Sequence, residues 1–259
     1  MDYTMLRYEK EDAICVITLH RPDARNALNE QVRAELYQAL EEANKDSEVK
    51  GVILTGGPEV FCGGADIKSM APATPTEMFF QLQTTRRIVE YMESMPKPVI
   101  AAISGYALGG GCEITLGCDL RVASETAVLG QPEIRLGIIP GGGGTQRLSR
   151  LVGLSRAKDL IFSGKILNAQ EALEIGLVDE VVPVDDLLET AKKKMKSYIR
   201  HGAVALATAK AALNLGMNMD LQSGDILEKM CFTMLFSTED QKEGMQAFME
   251  KRKASFKGK

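Results

Sequence analysis

Two glycine-rich stretches restrict the fold of this chain more than any other feature. The first covers residues 103–113 and ends in Glu113, and the second covers residues 130–147 and carries Glu133 near its start. Because glycine adopts backbone conformations that other residues avoid, such runs are typical of sharp turns between a strand and a helix. We therefore expect two strand-to-helix turns, in which exposed N–H groups and two carboxylates surround one small reacting centre.

The segments before these turns alternate between strand and helix patterns. Residues 13–19 are apolar and rich in β-branched side chains, which predicts a buried strand. Asn29 is a candidate cap for a helix with one apolar face, and residues 49–55 predict the next strand. Residues 99–103 predict a further strand that leads directly into the first glycine-rich stretch. This order of elements is typical of an α/β fold.

The pattern of the chain changes to helices from about residue 185. A helix is expected earlier, over residues 77–93 with Thr76 as its candidate cap, but after residue 185 no strand pattern remains. The helix patterns there cover residues 187–198, 204–215, 221–236 and 239–253. We predict an α/β body over residues 1–196 and a helical region over residues 197–259, which either packs on the body or forms a subunit interface.

Composition argues against several classes of protein. The formal net charge of −4 disfavours general nucleic-acid binding, because no basic excess exists to neutralise phosphates. With 2 histidines a zinc site is improbable, and the 5 cysteines lack CxxC spacing and indicate reduced thiols. No run approaches the roughly 20 apolar residues of a membrane span, and the start of the chain lacks a signal-peptide pattern. We expect a cytoplasmic protein without membrane segments.

The glycine turns could stabilise negative charge. Residues 109–111 precede a predicted helix and offer N–H groups at the positive end of its dipole, and residues 63–66 offer a second such turn. Two N–H groups from separate turns would form an oxyanion hole for a carbonyl that gains negative charge. The alternative is that the glycines serve only tight turns and close packing. A nucleotide-phosphate loop is disfavoured, because the chain contains no GxxxxGK[ST] motif.

Glu113 and Glu133 are candidate groups for proton transfer. If both face one apolar pocket, desolvation and mutual repulsion would raise the pKa of at least one, which suits acid–base chemistry near neutral pH. Either could instead be a solvated or capping glutamate, and a metal site lacks a third ligand at a sensible spacing. Cys62 and Cys112 flank the turns, but without a histidine partner we expect packed thiols rather than nucleophiles. Asp66 is expected to cap a helix.

The glycine turns and the two glutamates also occur in a specific order along the chain. Residues 105–113 are followed by Gly130-Gln131-Pro132-Glu133 and then by Pro140-Gly141. This ordered set resembles the crotonase (enoyl-CoA hydratase/isomerase) superfamily, and most closely its short-chain 2-enoyl-CoA hydratases. The matching stretches span almost the whole chain and cover residues 25–28, 61–68, 98–119, 130–148 and 236–253.

The resemblance implies a fold and a set of site residues. The fold is an α/β spiral of ββα units followed by C-terminal helices that mediate trimerisation, commonly as a hexamer made of two trimers. The catalytic positions implied are the oxyanion-hole N–H groups of Ala65 and Gly110, the carboxylates of Glu113 and Glu133, and the amide of Gly141, which would position the water. The CoA-binding positions implied are Arg25, Ala27, Leu28, Ala65, Asp66, Ile67, Lys68 and Gly110, with Phe248 and Lys251 reaching the CoA bound by a neighbouring subunit.

The same resemblance implies an activity. It is the reversible syn addition of water to a 2-enoyl-CoA thioester, which gives a 3-hydroxyacyl-CoA and needs no metal or redox cofactor, since CoA is part of the substrate. The presence of both glutamates favours a hydratase over an isomerase. The chain departs from the family pattern at residues 71–76 and in the helix that follows. Because that region shapes the acyl pocket, a cyclic or dienoyl substrate stays open, and an RNA-binding or non-catalytic family member is the alternative from a different class.

Overall fold

The computed structural model describes residues 3–259, and two sheets organise them. The strands are β1 (Leu6–Glu11), β2 (Ile14–Leu19), β3 (Gly51–Thr55), β4 (Val99–Ile103), β5 (Tyr106–Leu108), β6 (Leu120–Ser124), β7 (Val128–Gly130), β8 (Ile166–Asn168) and β9 (Glu180–Val182). The larger sheet has the order β1-β2-β3-β4-β6-β9, and the smaller has the order β5-β7-β8. In the larger sheet β1 and β2 are antiparallel, while the other neighbours are parallel.

Helices surround the sheets and continue to the C-terminus. They are α1 (Glu30–Lys45), α2 (Ile67–Met70), α3 (Pro75–Ser94), α4 (Gly110–Leu116), α5 (Gly144–Val152), α6 (Leu154–Ser163), α7 (Ala169–Glu174), α8 (Leu187–Ile199), α9 (Ala203–Gly216), α10 (Leu221–Leu235) and α11 (Glu239–Met249). Short 3-10 helices cover Pro22–Ala24, Pro132–Leu136 and Val184–Asp186. No helix in the described part of the chain is long and apolar enough to cross a membrane.

The larger sheet is buried on both faces. In β2, Cys15 and Ile17 join the larger apolar core, whereas Ile14 and Val16 join a smaller one, as the alternation of side chains along a strand requires. Helix α8 covers the second face through Met195, which is fully buried. Every residue of β3 and β4 is buried, which explains why these strands are continuous apolar runs.

The strands predicted at residues 13–19, 49–55 and 99–103 are confirmed as β2, β3 and β4, and Asn29 caps α1 as predicted. Strand β1 was missed, because its sequence is mostly charged and it lies at the edge of the sheet, where β1 has only one neighbouring strand. The three short strands of the smaller sheet were also missed. With 3 residues each, they are too short to show a periodic pattern.

Two helix boundaries differ from the prediction. Helix α3 is capped by Thr74 rather than Thr76, because the Thr74 hydroxyl accepts the N–H of Glu77 at 3.3 Å and the Glu77 carboxylate accepts the N–H of Thr74 at 2.7 Å. Pro75 can then occupy the first position of the helix. Helix α11 ends at Met249 instead of residue 253, because Lys251 adopts a left-handed conformation with φ of 55°. Helix α8 runs across residue 196, and the division of the chain there stays a prediction.

Candidate active site

The smaller sheet brings the two glycine-rich stretches together. Strands β5 and β7 are parallel neighbours, with Leu108 paired to Gly130, and the N–H of Gly109 donates to the Gly130 carbonyl at 2.9 Å. After β5 the chain turns into α4, which carries Glu113, and after β7 it enters the 3-10 helix that carries Glu133. The two predicted carboxylates therefore leave the same edge of the sheet.

Glu113 is a buried carboxylate held at the start of a helix. Its side chain lies in the first turn of α4 and the residue is 4% exposed. Its Oε1 accepts the N–H of Gly144, the first residue of α5, at 2.8 Å. Burial raises the pKa of Glu113, while the N–H groups of Gly144 and Gly142 and the charge of Arg147 oppose that rise. The N-terminus of α5 therefore offsets part of the cost of burying this carboxylate as an ion.

Glu133 is half-buried and lies against the first glycine turn. A Cβ on Gly109 would come within 2.9 Å of Glu133 Oε1, so the carboxylate is packed on this backbone. Burial raises the pKa of Glu133 to about 7, and the nearby charge of Glu113 adds to the rise. The site therefore holds one carboxyl group that titrates near neutral pH beside a second in a different environment, which is the arrangement that an acid–base pair requires.

Gln131 is a site residue that the sequence analysis missed. It is 1% exposed and lies two residues before Glu133. With its amide nitrogen turned towards Glu133, Gln131 donates to Oε1 at 3.0 Å and to Oε2 at 3.3 Å. The only signal in the sequence was the position of a polar residue between a buried strand and a proline. Gln131 fixes the orientation of the carboxylate.

Two backbone N–H groups lie close together beside the carboxylates. Leu28 bridges to Ala65 through hydrogen bonds made by the residues on either side of Ala65, which leaves the N–H of Ala65 pointing away from Leu28. Gly110 is the first residue of α4, so its N–H has no acceptor within the helix. A Cβ on Gly110 would lie 3.5 Å from the Ala65 nitrogen. Within residues 3–259 neither N–H donates to a backbone acceptor outside regular structure, as an oxyanion hole requires.

This close approach depends on Gly64. Its φ is 111°, a conformation that favours glycine, and a Cβ there would come within 2.9 Å of the Leu108 carbonyl oxygen. Residues 63–65 therefore pass directly beside the end of β5. The sequence offered two roles for this turn, close packing and presentation of an N–H group. The two are compatible, because the close packing brings the N–H group of Ala65 to the end of β5.

The proposed CoA-binding positions fall into two groups. Residues 25–28 and 63–68 lie side by side, because Gly63 donates to the Arg25 carbonyl at 2.8 Å and Leu28 donates to the Gly64 carbonyl at 2.8 Å. The Arg25 guanidinium lies 5.8 Å from the centre of the Tyr106 ring. Ala27 is half-buried in the first of these segments, and in the second Asp66 caps α2 as predicted and leaves Ile67 and Lys68 exposed.

The second group lies at the C-terminus. Phe248 is 85% exposed on α11, and Lys251 follows the end of that helix. Within residues 3–259 no hydrogen bond or salt bridge joins either residue to the first group. The isolated chain therefore does not bring Phe248 or Lys251 into contact with the predicted CoA-binding segments through polar interactions.

Gly141 and the two cysteines complete the surroundings. Gly141 packs against α3, where a Cβ would come within 2.7 Å of a methyl group of Leu82. Cys62 and Cys112 are fully buried, and burial raises the pKa of each thiol to about 12. A thiol with so high a pKa is protonated at neutral pH and is a poor nucleophile, so the prediction of packed thiols is confirmed.

Comparison with known proteins points to one family. The sequence profile described as enoyl-CoA hydratase/isomerase matches residues 9–259. The chain is 46% identical over 254 residues to the short-chain-enoyl-CoA hydratase of Clostridium acetobutylicum, with 98% of this chain and 97% of the relative covered. It is 44% identical over 257 residues to the crotonyl-CoA hydratase of Syntrophomonas wolfei, with 99% of each covered. The crystal structure of enoyl-CoA hydratase from Bacillus anthracis superposes with a TM-score of 0.95 at 41% identity, covering 99% of this chain and 100% of that one.

Proposed function

The chain belongs to the enoyl-CoA hydratase/isomerase family, and we propose that it catalyses the reversible syn hydration of a short 2-enoyl-CoA to the 3-hydroxyacyl-CoA. The predicted crotonase-like fold is confirmed by the structural match along the whole chain. One observation carries the assignment of the reaction. The two carboxylates lie at one edge of the smaller sheet with raised pKa values, next to a pair of N–H groups from separate turns.

In the proposed reaction the thioester carbonyl accepts hydrogen bonds from the N–H groups of Ala65 and Gly110. Attack of water at C3 moves negative charge onto the carbonyl oxygen, as in an enolate. The two bonds strengthen as that charge develops, and one such donor is typically worth about 3 kcal/mol in the transition state. The first turn of α4 supports this, because its dipole directs positive potential at the same oxygen.

The two glutamates then divide the proton transfers. Glu113 takes a proton from the water while the water oxygen forms its bond to C3. The amide of Gly141 helps to position this water, and Glu133 delivers a proton to C2. After the addition Glu113 holds a proton and Glu133 is ionised. Dehydration runs the same two transfers backwards, so the pair of carboxylates carries one proton before and after the reaction. The N–H of Gly144 donates to Glu113 and favours the ionised state of the base, and the pKa of Glu133, which burial raises to about 7, supports the protonated state of the acid. The proposed mechanism needs no metal or redox group, because the N–H groups of Ala65 and Gly110 stabilise the charge on the carbonyl oxygen and the two glutamates carry the protons.

The proposed function is tested with a panel of purified enoyl-CoA thioesters. Linear substrates of increasing chain length and cyclic or dienoyl substrates are followed by the loss of conjugated-enoyl absorbance. We expect the fastest hydration with crotonyl-CoA, because the chain is similar to a short-chain-enoyl-CoA hydratase and to a crotonyl-CoA hydratase. Turnover of none of the linear thioesters would overturn the proposal, and a preference for cyclic substrates would retain the chemistry but reassign the substrate.

The pH dependence of hydration follows from the two carboxylates. Because Glu133 must be protonated to act as the acid, kcat/KM for crotonyl-CoA is expected to fall as the pH rises through about 7, the pKa of this group. Because Glu113 must be ionised, kcat/KM should also fall at acidic pH, on a limb above the ordinary glutamate pKa. Initial rates between pH 5 and pH 9 cover about two pH units on either side of the pKa of Glu133 and measure both limbs of the profile. A flat profile would contradict this assignment of roles.

We also propose that the active assembly is a homo-oligomer, a trimer or a hexamer made of two trimers, in the cytoplasm. Helices α9, α10 and α11 leave large apolar side chains uncovered, among them Leu213 at 71%, Leu221 at 82% and Phe248 at 85% exposure. Patches of this kind on a single chain are typical of an interface with another subunit. The cytoplasmic location is supported by the five free cysteines, because reducing compartments keep thiols unpaired.

In such an assembly Phe248 and Lys251 would reach the CoA of a neighbouring subunit. Replacing Lys251 by Ala is expected to raise KM for crotonyl-CoA by about 5- to 20-fold with little change in kcat, because it removes a charge that binds phosphate remote from the reacting carbons. Light scattering should show the same assembly as the parent protein. Lys229→Ala, at an exposed lysine on α10, is the matched control. An unchanged KM would remove Lys251 from the proposed CoA site.

A further inference from the structure

Arg147 lies behind the loop that holds Glu113 and is paired with a carboxylate from another helix. It lies on α5, three residues after Gly144, whose N–H binds Glu113. Its Nε donates to Oε1 of Glu93 on α3 at 2.6 Å, and its Nη2 donates to Oε2 at 2.7 Å. The side chains of Arg147 and Glu93 are 19% and 35% exposed. This two-bond geometry fixes the plane of the guanidinium group.

The glycine backbone of residues 142–144 contacts both Arg147 and Glu113. At Gly143, where φ is 118°, a Cβ would overlap Arg147 Nη1 on one side of the loop. At Gly142, a Cβ would lie 2.6 Å from Oε2 of Glu113 on the other side and 2.9 Å from a methyl group of Thr85. Residues 142–144 therefore form a thin wall between the guanidinium and the carboxylate, and α3 packs against that wall.

The charged groups around this wall change one another's pKa values. The charge of Arg147 lowers the pKa of Glu113 against the rise caused by burial. In return, the hydrogen bonds that Arg147 donates to Glu93 raise the pKa of Arg147, and the charges of Glu90 and Glu113 act in the same direction. The other charged groups that line the cavity next to Arg147 are Arg86 of α3, Arg150 of α5 and Lys210 of α9, and the charge of Glu113 also acts on Glu133.

We propose that Arg147 and Glu93 are positioning residues for the hydratase reaction: Arg147 stabilises the ionised carboxylate of Glu113 through the glycine wall, and Glu93 holds the guanidinium in place and moderates its charge. The proposal rests on the proposed function of Glu113 as the base. It gives α3 a part in setting the charge of the active site. This helix follows the departure from the family pattern at residues 71–76. Neither residue touches the reacting atoms.

The proposal predicts opposite effects for the two partners of one ion pair. Removing the positive charge in Arg147→Met should move the acid limb of the kcat/KM profile to higher pH by about half a unit to one unit, because Glu113 loses a stabilising cation. Removing the negative charge in Glu93→Gln should move the same limb to lower pH by up to about half a unit, because the guanidinium is no longer offset. A purely structural pair would shift both variants in the same direction.

The test measures crotonyl-CoA hydration by both variants, by Arg147→Lys and by Glu90→Gln across the acid limb. Arg147→Lys keeps the charge and should hold the limb within about 0.3 unit of the parent while lowering kcat, since lysine cannot make both bonds to Glu93. Glu90→Gln is the matched control on α3, because the Glu90 side chain is 57% exposed and forms a salt bridge with Arg86 rather than with Arg147. Its shift should be smaller than that of Glu93→Gln.

An independent readout separates this inference from the proposed function. Infrared difference spectra during a pH titration report the protonated carboxyl band of Glu113, which is identified by its loss in Glu113→Gln. The midpoint of this band should move up in Arg147→Met and down in Glu93→Gln, even if the protein hydrates no enoyl-CoA. If Arg147→Met does not fold, Glu93→Gln decides alone, because glutamine keeps the size of the side chain. Midpoints that move in the same direction, or not at all, overturn the proposal.

Discussion

Replacing Glu113 or Glu133 by Gln is expected to lower kcat for crotonyl-CoA hydration by roughly 100- to 10,000-fold, the contribution typical of a positioned acid or base. Glutamine keeps the shape of the side chain, and in Glu113→Gln the amide oxygen can still accept the N–H of Gly144, as the Glu113 carboxylate does at 2.8 Å. Thus the loss reports on proton transfer rather than on folding. The loss of conjugated-enoyl absorbance measures kcat, and thermal melting measures stability.

Two further measurements make this result specific. The Kd of a non-reactive acyl-CoA should change by less than about 3-fold, because the proposed mechanism binds the thioester through backbone N–H groups that the substitutions leave in place. Glu125→Gln, at an exposed glutamate beyond β6, should keep parent activity. If both active-site variants hydrate crotonyl-CoA at close to the parent rate, the two-carboxylate mechanism is wrong.

Replacing Gly109 by Ala is expected to lower kcat by about 100-fold, the effect of displacing a catalytic group by about 1 Å. Gly109 has φ of 50° and ψ of −121°, and a Cβ there would lie 2.9 Å from Oε1 and 3.4 Å from Cδ of Glu133. The added methyl group therefore has to displace the Glu133 carboxylate, which is the group proposed to deliver the proton to C2. Most of the effect should appear in kcat, because the proposed mechanism assigns Glu133 to the reacting carbon and not to the binding of CoA.

The backbone strain of this substitution needs its own control. Gly153→Ala provides it, because Gly153 has φ of 87° and ψ of 150°, and a Cβ there would meet no atom within 4 Å. Both variants are expected to lose about 1–3 kcal/mol of stability in denaturant titrations, since alanine avoids both conformations. Only Gly109→Ala should lose activity. Equal losses of activity in the two variants would show that strain, and not displacement of Glu133, causes the defect.

Much of the fold was predictable because it depends on local chemistry. Strands β2, β3 and β4 are continuous apolar runs since both faces of the sheet are buried, and α1 begins after an asparagine whose side chain accepts the N–H of Val32 at 2.8 Å. The cap of α3 was placed two residues late, because a threonine occurs on both sides of Pro75 and only the reciprocal bonds of Thr74 and Glu77 distinguish them. Strand β1 is mostly charged and lacked any such local signal.

The residues able to carry chemistry could be identified from the sequence alone: the glycine turns, the two glutamates, and the order in which they follow one another. How these groups are arranged depends on the folded chain. The parallel pairing of β5 with β7 sets Glu113 beside Glu133, burial raises both pKa values, and Gln131 orients one carboxylate. Arg147 and Glu93 are 54 residues apart in the chain and meet only because α3 and α5 pack on the same glycine wall. Such contacts depend on strand register and helix packing, and no local pattern of residues encodes either.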